Sequence, residues 1–367
     1  MAETAPTKTS KSGKKPSDSG AAVASRVKNQ SLGKARDAKQ DEFYTQLSDI
    51  ERELKHYKKY FKNKVVYCNC DDPRVSNFFH YFSYNFDRLG LKKLVTTCYK
   101  SQHRDLFSQH DSEQAIHLAY CGGNAGTGVP DPEEIGIQYL KGDGDFRSEE
   151  SLALLKEADI VVTNPPFSLF REYIAQLIQY DKKFLVVGNQ NAISYKEIFN
   201  HIIENRMWLG NRSGDMAFQV PDHYEERETR FWVDENGQKW RSLGNACWFT
   251  NLDIAKRHEE LILYKEYNPR DYPAYVNYDA IEVGKTSDIP ANYPGAMGVP
   301  VTFLDKYNPD QFEILGSSRT LGQPMSQVAE RGSYAQGGPR FYLANGDGTY
   351  QRLYDRIVIK NRMLKAS

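Results

Sequence analysis

The sequence contains no apolar run long enough to cross a membrane. A membrane-spanning helix needs about 20 predominantly apolar residues, and no stretch approaches that length, although 40% of the 367 residues are hydrophobic. The N-terminus also lacks the apolar core of a secretory signal peptide. We therefore expect an intracellular, cytoplasmic protein with no membrane partner. The length of the chain exceeds that of an average single domain and predicts two domains.

Cysteine is scarce, with five residues at positions 68, 70, 98, 121 and 247. Cys68 and Cys70 are closer than the usual pairs in zinc sites, and no second Cys or His pair completes such a site. The spacing of His103, His110 and His117 fits no metal template either. We expect reduced, mostly buried thiols, surface histidines and no structural metal.

The most informative stretch is DIVVTNPPF, at residues 159–167. Residues 159–163 are rich in β-branched side chains and predict a buried strand, which the two prolines end because proline cannot donate to a strand ladder. Apolar residues then recur at helical spacing over 169–178, with Ser168 as a candidate N-cap. The turn between strand and helix consists of Asn164, Pro165, Pro166 and Phe167. Open α/β sheets bind their ligands at such turns.

This turn carries groups suited to an exocyclic amino group. The Asn164 amide and the Pro165 carbonyl are two acceptors that can take both amino hydrogens, and Phe167 offers an apolar face to a planar base. The amino nitrogen of adenine is a poor nucleophile because its lone pair is delocalised into the ring. Two acceptors pulling on its hydrogens localise that pair, so the nitrogen can attack a methyl sulfonium without a strong base. An ordinary turn after a buried strand is the alternative.

The motif resembles the Asn-Pro-Pro-Tyr/Phe signature of S-adenosylmethionine-dependent amino-methyltransferases. The sequence between residues 41 and 300, which begins with DEFYTQ at 41–46 and ends with MGVP at 297–300, is similar to the EcoRI-type adenine-N6 DNA methyltransferases. This resemblance implies an α/β fold, with a Rossmann-like methyltransferase sheet and a C-terminal target-recognition domain. It also implies S-adenosylmethionine as cofactor, double-stranded DNA as partner and methyl transfer to a flipped adenine. A monomer in a bacterial or phage-infected cell is implied as well, either serving restriction-modification beside a restriction endonuclease or protecting a phage genome.

The resemblance assigns catalysis to Asn164, Pro165, Pro166 and Phe167, with Asn164 also beside the cofactor. It places Phe43, Tyr44 and Thr45 against the methionine end of the cofactor, with Thr45 as the polar contact. Phe43 and Tyr44 also suit a role as anchors for an amphipathic helix predicted over 47–60.

A strand over 64–68 leads into the cofactor-loop position, which holds Asn69, Cys70, Asp71 and Asp72. The glycines usual in the family are missing from this loop. Asp71 or Asp72 suits the amino-acid end of the cofactor, because a carboxylate attracts both a sulfonium and a free amino group. Either aspartate equally suits a cap of the following helix.

Two more strands are predicted before the catalytic turn, over 94–99 and 135–140. No carboxylate follows the first of them to bind the ribose hydroxyls, so Tyr99, Ser101 or another element takes that role, or the ribose is held less tightly. The second leads to KGDGDF at 141–146. By resemblance, Asp145 accepts a hydrogen bond from the amino group of the cofactor adenine, and Phe146 stacks on the adenine ring. The alternative is that these residues form a simple tight turn.

After the turn, residues 183–188 predict a further strand, and 207–210 with 246–252 predict an antiparallel pair. Between them, Phe218 is a candidate to stack on the second face of the flipped adenine, or else an ordinary buried aromatic residue.

The charge pattern and the fading periodicity divide the chain into three parts. Residues 1–40 carry nine Lys or Arg and three acidic residues and predict a disordered basic tail. That tail suits either loose contacts with DNA phosphates or no function. Residues 41–255 form the predicted catalytic domain, and the Tyr-, Pro- and Asn-rich residues 256–367 the predicted target-recognition region.

Two other functions are compatible with the sequence. One is an amino-methyltransferase acting on RNA or on glutamine in a protein. The other is a catalytically inactive DNA-binding relative, suggested by the missing glycines and the missing ribose carboxylate.

Overall fold

The computed structural model describes residues 43–69, 71–100, 114–123, 130–222 and 224–364. The predicted tail at residues 1–40, Cys70, His103 and His110 lie outside the described residues. The strands are β1 Tyr44–Thr45, β2 Val65–Asn69, β3 Lys93–Cys98, β4 Ile116–Tyr120, β5 Gln138–Tyr139, β6 Ile160–Thr163, β7 Lys183–Asn189, β8 Trp208–Gln219, β9 Phe231–Val233, β10 Lys239–Thr250, β11 Ile281–Glu282, β12 Met297–Pro300, β13 Phe312–Ser317, β14 Tyr342–Ala344, β15 Tyr350–Arg352 and β16 Arg356–Asn361. The α-helices are α1 Leu47–Leu54, α2 Asn77–Tyr84, α3 Phe86–Leu89, α4 Pro132–Ile135, α5 Glu149–Glu157, α6 Phe170–Gln179, α7 Lys196–Ile203 and α8 Ser318–Leu321.

The centre of the main sheet is parallel, in the order β7-β6-β2-β3. From β2 the chain moves outward to β3, and it later returns to β6 on the other side of β2. The direction of winding therefore reverses between β2 and β6, and such a reversal opens a ligand crevice outside the carboxyl ends of the strands. Asn69 ends β2 and Asn164 follows β6, so both lie at this crevice.

Antiparallel strands extend both edges of this sheet. Strands β10, β8 and β1 follow β7 on one side, with β9 on β10, and β4 and β5 follow β3 on the other. The predicted pairing of residues 207–210 with 246–252 is confirmed as part of the longer β8–β10 pair. The result is a mixed α/β sheet with a parallel centre, as the resemblance implied.

The central strands are apolar on both sides because helices cover both faces. In β6, Val161 and Val162 are both fully buried and belong to two different hydrophobic clusters. One cluster contains α1 and α2, and the other contains α6 and α7. No helix in the described ranges combines the length and the apolar character that crossing a membrane requires.

The C-terminal region adds a second sheet, in the order β11-β12-β16-β13, and the β14–β15 hairpin. Apolar residues of this region, among them Met297, Phe303 and Ile359, join the same cluster as Phe170 and Phe184 beside the main sheet. The two sheets thus share one hydrophobic core across the boundary predicted near residue 255.

Three local predictions are wrong. The strand predicted over 135–140 is the end of α4 followed by the two-residue edge strand β5. His117, predicted at the surface, lies half-buried on β4, where burial lowers its pKa. Ser168 does not cap α6, because it lies inside the 3-10 helix Phe167–Leu169 and Leu169 takes the N-cap position.

Candidate functional site

The Asn164 side chain is buried at the carboxyl end of β6, and its amide is oriented by the segment around β1. The Nδ2 group donates to the carbonyl oxygen of Phe43 and, over 3.1 Å, to Oγ1 of Thr45. The side-chain oxygen Oδ1 is also buried but accepts no hydrogen bond from the described protein. A buried acceptor without a partner costs about 1–3 kcal/mol. The turn therefore presents an acceptor that a ligand can satisfy.

An aromatic group centred on Phe43 lies next to this turn. The Phe43 ring lies 5.1 Å from that of Phe167, 5.6 Å from Phe218 and 6.1 Å from Tyr224, measured between centroids. Phe167 remains half-buried, whereas Phe218 is fully buried. The sequence suggested Phe167 and Phe218 as the two base-stacking residues, and the structure places Phe43 in contact with both.

The segment that contains Phe43 is held in place by the sheet. Tyr44 and Thr45 form β1, which pairs with Gln219 and Phe218 of β8. Asn77, at the start of α2, donates from Nδ2 to the Thr45 carbonyl over 2.9 Å. Thr45 is therefore fixed by its backbone on both sides, with its hydroxyl next to Asn164.

Two of the predicted cofactor residues, Asn69 and Phe146, contact Tyr173 of α6. The Tyr173 hydroxyl donates to Oδ1 of Asn69 over 2.5 Å, and its ring makes an edge contact with Phe146 at 5.2 Å. The Thr163 hydroxyl donates to the Asn69 carbonyl. The ends of β2 and β6 and the loop at 141–146 thus meet in one crevice.

Asp145 lies in this loop with an ionised side chain. Arg147 donates to it twice, from Nε to Oδ1 over 2.8 Å and from Nη2 to Oδ2 over 2.7 Å. These hydrogen bonds hold the pKa of Asp145 below its ordinary value. Arg147 also pairs with Glu172 at 2.9 Å, which ties the loop to α6.

Asp72 is nearly fully buried and closes a local turn. Its carboxylate accepts from the Arg74 backbone over 2.9 Å and from the Arg74 guanidinium over 3.1 Å. The N-cap of α2 is Ser76, whose hydroxyl accepts from Phe79 N. The alternative that Asp71 or Asp72 caps this helix is therefore wrong.

The remaining candidates are possible metal ligands and the cysteine thiols. Within the described ranges, no group of three or more His, Cys, Asp or Glu side chains is placed to hold a metal ion. Cys68, Cys98 and Cys247 are buried free thiols, and Cys121 is an exposed one.

Sequence reasoning missed three contributors to this site: the Phe43 carbonyl, Tyr173 and Arg147. Tyr173 fitted the apolar face of its helix, so its hydroxyl gave no separate signal. Arg147, two residues after the predicted Asp145, could have been found as a candidate partner for that carboxylate. The contact between Phe43 and Asn164 joins residues 121 positions apart, and no local pattern reports such a contact.

Comparison with known proteins identifies the family of this chain. Residues 31–362 match the family model described as adenine-specific methyltransferase EcoRI. The chain is 53% identical over 297 residues to the type II methyltransferase M.EcoRI of Escherichia coli, covering 80% of this chain and 90% of that protein. It is 37% identical over 345 residues to M.MgeORF184P of Mycoplasma genitalium, covering 91% and 99% of the two chains. It is also 36% identical over 342 residues to M.MpnI of Mycoplasma pneumoniae, covering 90% and 98%. Both Mycoplasma proteins are named type II methyltransferases.

Proposed function

The chain belongs to the EcoRI family of adenine-specific methyltransferases, and from this premise we propose that it methylates the N6 amino group of an adenine flipped out of double-stranded DNA. The methyl donor in this proposal is S-adenosylmethionine. Extruding the base costs a few kcal/mol of stacking and pairing, which contacts in the crevice must offset.

The observation that carries the proposal is the buried, unpartnered Oδ1 of Asn164. An acceptor in this position suits one hydrogen of the adenine amino group, and the Pro165 carbonyl suits the other. Pro166 completes the turn that sets these two acceptors side by side. The N6 lone pair would bond to the methyl carbon as the bond from that carbon to the sulfonium sulfur breaks. The sulfur would leave as a neutral thioether, and N6 would then release a proton to water. Catalysis comes mainly from positioning, since no strong base is required.

We propose that the flipped adenine stacks on Phe167. This ring is half-buried and belongs to the aromatic group with Phe43 and Phe218. Phe218 makes its edge contact with Phe43, so it supports the stacking surface from its buried side.

The residues of the crevice fit an S-adenosyl group. The ionised Asp145 suits the adenine amino group of the cofactor, and Phe146 suits its ring. Asn69 stands at the end of β2 and is linked to Phe146 through Tyr173. Asp71 and Asp72 with Cys70, and the residues Phe43 and Tyr44, are proposed for the amino-acid end. When bound, the cofactor supplies a methyl group on a positively charged sulfur.

We assign DNA recognition to residues 256–367. This region presents guanidinium groups that suit phosphates and base edges. Arg319 and Arg340 both bind the single carboxylate of Asp355, at 2.8 and 2.9 Å. Tyr354 beside them is 89% exposed. The proposal includes a cytoplasmic monomer that serves a restriction-modification system, in keeping with the type II methyltransferases that the chain resembles.

A substrate panel tests the proposed function. The full chain is incubated with radiolabelled S-adenosylmethionine and, separately, with duplex DNA, single-stranded DNA, RNA and a protein mixture. We expect label in duplex DNA, recovered as N6-methyladenine. Label that enters RNA or protein while duplex DNA remains unlabelled would contradict the proposal and favour the other amino-methyltransferase functions.

A further inference from the structure

We propose that Thr45 is a positioning residue for the Asn164 amide and that it acts on the transfer step rather than on cofactor affinity. This inference rests on the proposed function and deepens it, because it states what orients the acceptor for the target adenine. The resemblance implied a different role for Thr45, a contact with the cofactor.

The first step of the argument is the orientation of the amide. Its nitrogen and oxygen are similar in shape, and a rotation about the last side-chain bond exchanges them. A backbone carbonyl can only accept a hydrogen bond, so the contact with the Phe43 carbonyl requires Nδ2 on that side. With Oδ1 there instead, two oxygens would face each other, and an NH2 group would face the amino group of the target adenine.

The second step concerns the other Nδ2 hydrogen. It is taken by Oγ1 of Thr45 at 3.1 Å, and Thr45 is only 2% exposed. With both hydrogens engaged, Nδ2 has no further donor to offer, and Oδ1 is the only polar atom of the amide left to face a ligand. A productive constellation needs this kind of support, since a displacement of about 1 Å can cost a factor of 100 in rate.

The third step is that Thr45 is itself held rigidly. Its backbone pairs with Phe218 on β8, and its carbonyl accepts from Asn77 at 2.9 Å. These contacts anchor the backbone that carries the hydroxyl beside Asn164.

Thr45→Val tests this role because valine keeps the shape and removes the hydroxyl. At saturating S-adenosylmethionine and duplex DNA, we expect the single-turnover rate to fall about 10- to 100-fold. We expect the Kd for S-adenosylmethionine, measured by calorimetry, to change less than about threefold, because in this role Thr45 makes no hydrogen bond to the cofactor. The loss of a neutral hydrogen bond to the cofactor would raise the Kd by more than that. Thr45→Ser, which retains the hydroxyl, should restore most of the rate. Thermal melting of both variants checks that they are folded.

A binding measurement separates positioning from general loosening. Duplexes carrying adenine or purine, which lacks the amino group, at the mapped target are compared by Kd. Relative to the wild type, Thr45→Val should lower the preference for adenine over purine by up to about tenfold, the value of one hydrogen bond. The difference in extrusion cost between the two bases is the same for both proteins and cancels in this comparison.

Three outcomes would overturn the inference. A normal transfer rate in Thr45→Val with an unchanged preference for adenine would show that Thr45 does not orient the Asn164 amide. A raised Kd for the cofactor with an unchanged rate at saturation would make Thr45 a cofactor contact. If the wild type itself neither transfers a methyl group nor prefers adenine, the proposed function fails together with this inference.

Discussion

Single side chains at the crevice are fixed by partners from distant parts of the chain. Tyr173 of α6 donates to Asn69, which ends β2, and also touches Phe146. The Tyr173 side chain thereby positions both the Asn69 amide and the Phe146 ring, which we propose as cofactor contacts. Its contribution should appear in cofactor affinity.

Tyr173→Phe removes this hydroxyl and keeps the ring. We expect the Kd for S-adenosylmethionine, measured by calorimetry, to rise about fivefold to tenfold, the value of one hydrogen bond. Transfer at saturating cofactor should change little. Tyr84→Phe is the matched control, since Tyr84 is 68% exposed; equal effects of the two substitutions would argue against the role of Tyr173.

Glu53 is a fully buried carboxylate that joins α1 to β8. It accepts from the Tyr57 hydroxyl over 2.8 Å and from the backbone nitrogens of Asn211 and Arg212 over 2.6 and 2.9 Å. Burial is the main cause that raises its pKa from 4.5 to about 6.

The raised pKa of Glu53 predicts a pH-dependent stability. Between pH 4.5 and about 6 the folded protein binds this proton more tightly than the unfolded chain does. The resulting stabilisation is complete below pH 4.5 and is lost as the pH rises through 6, by about 2 kcal/mol in the free energy of unfolding. Urea denaturation at pH 4.5 and 7.5 should show this loss in the wild type relative to Glu53→Gln. Identical pH dependence of the two proteins would count against it.

At the scale of elements, the loop at 141–146 is shaped by its contact with the end of β3. Gly144 has a φ of +78°, and a Cβ there would lie 2.7 Å from the Cys98 carbonyl oxygen. The loop can approach β3 this closely only with glycine at that position. The approach brings Asp145 and Phe146 to the crevice.

Gly144→Ala should therefore displace the loop. We expect the Kd for S-adenosylmethionine to rise about tenfold or more through misplacement, and the free energy of unfolding to fall by about 1–3 kcal/mol. Gly142→Ala is the control within the same loop, because its Cβ would meet only the end of the Glu150 side chain, at 3.3 Å. Calorimetry and urea denaturation measure the two effects, and similar results for both variants would refute the argument.

How far the sequence predicted each element depends on whether its signal is local. Strand β6 and the turn after it were predicted because a β-branched run ends at two prolines. Strand β4 was missed although its buried Ile116, Leu118 and Tyr120 alternate with two less buried residues, because these five residues follow a long polar, histidine-bearing stretch that indicated a loop. Strand β5 is exposed and two residues long, so almost no hydrophobic pattern marks it.

The candidate site divides in the same way. Asn164 and Phe167 were predicted as site residues because they share one short motif. The contact of Asn164 with Phe43 and that of Tyr173 with Asn69 depend on how strands and helices pack, and they leave no trace in local spacing. Which glycine-free loop residues replace the usual cofactor glycines also depends on that packing.

At the scale of the whole molecule, the shared core predicts joint folding of the two sheets. Phe303 and Ile359 pack in the same cluster as Phe170 and Phe184. Without the C-terminal region, this face of the main sheet would expose a large apolar surface.

Calorimetric unfolding of the full chain should therefore show one cooperative transition, and a chain ending at residue 255 should fail to fold. Circular dichroism and solubility of the chain ending at residue 255 measure whether it folds. Two separate transitions, or a soluble and folded fragment, would show that the catalytic part is independent of the C-terminal region.

The central claim is that Asn164 holds the target adenine for methyl transfer. The most direct test is nucleoside mass spectrometry on duplex DNA incubated with S-adenosylmethionine and either the wild type, Asn164→Ala or Asn200→Ala. Asn200 lies on the exposed side of α7 and provides the matched control. We predict N6-methyladenine with the wild type and with Asn200→Ala, and a loss of at least about 100-fold with Asn164→Ala. Normal methylation by a folded Asn164→Ala variant would contradict the account.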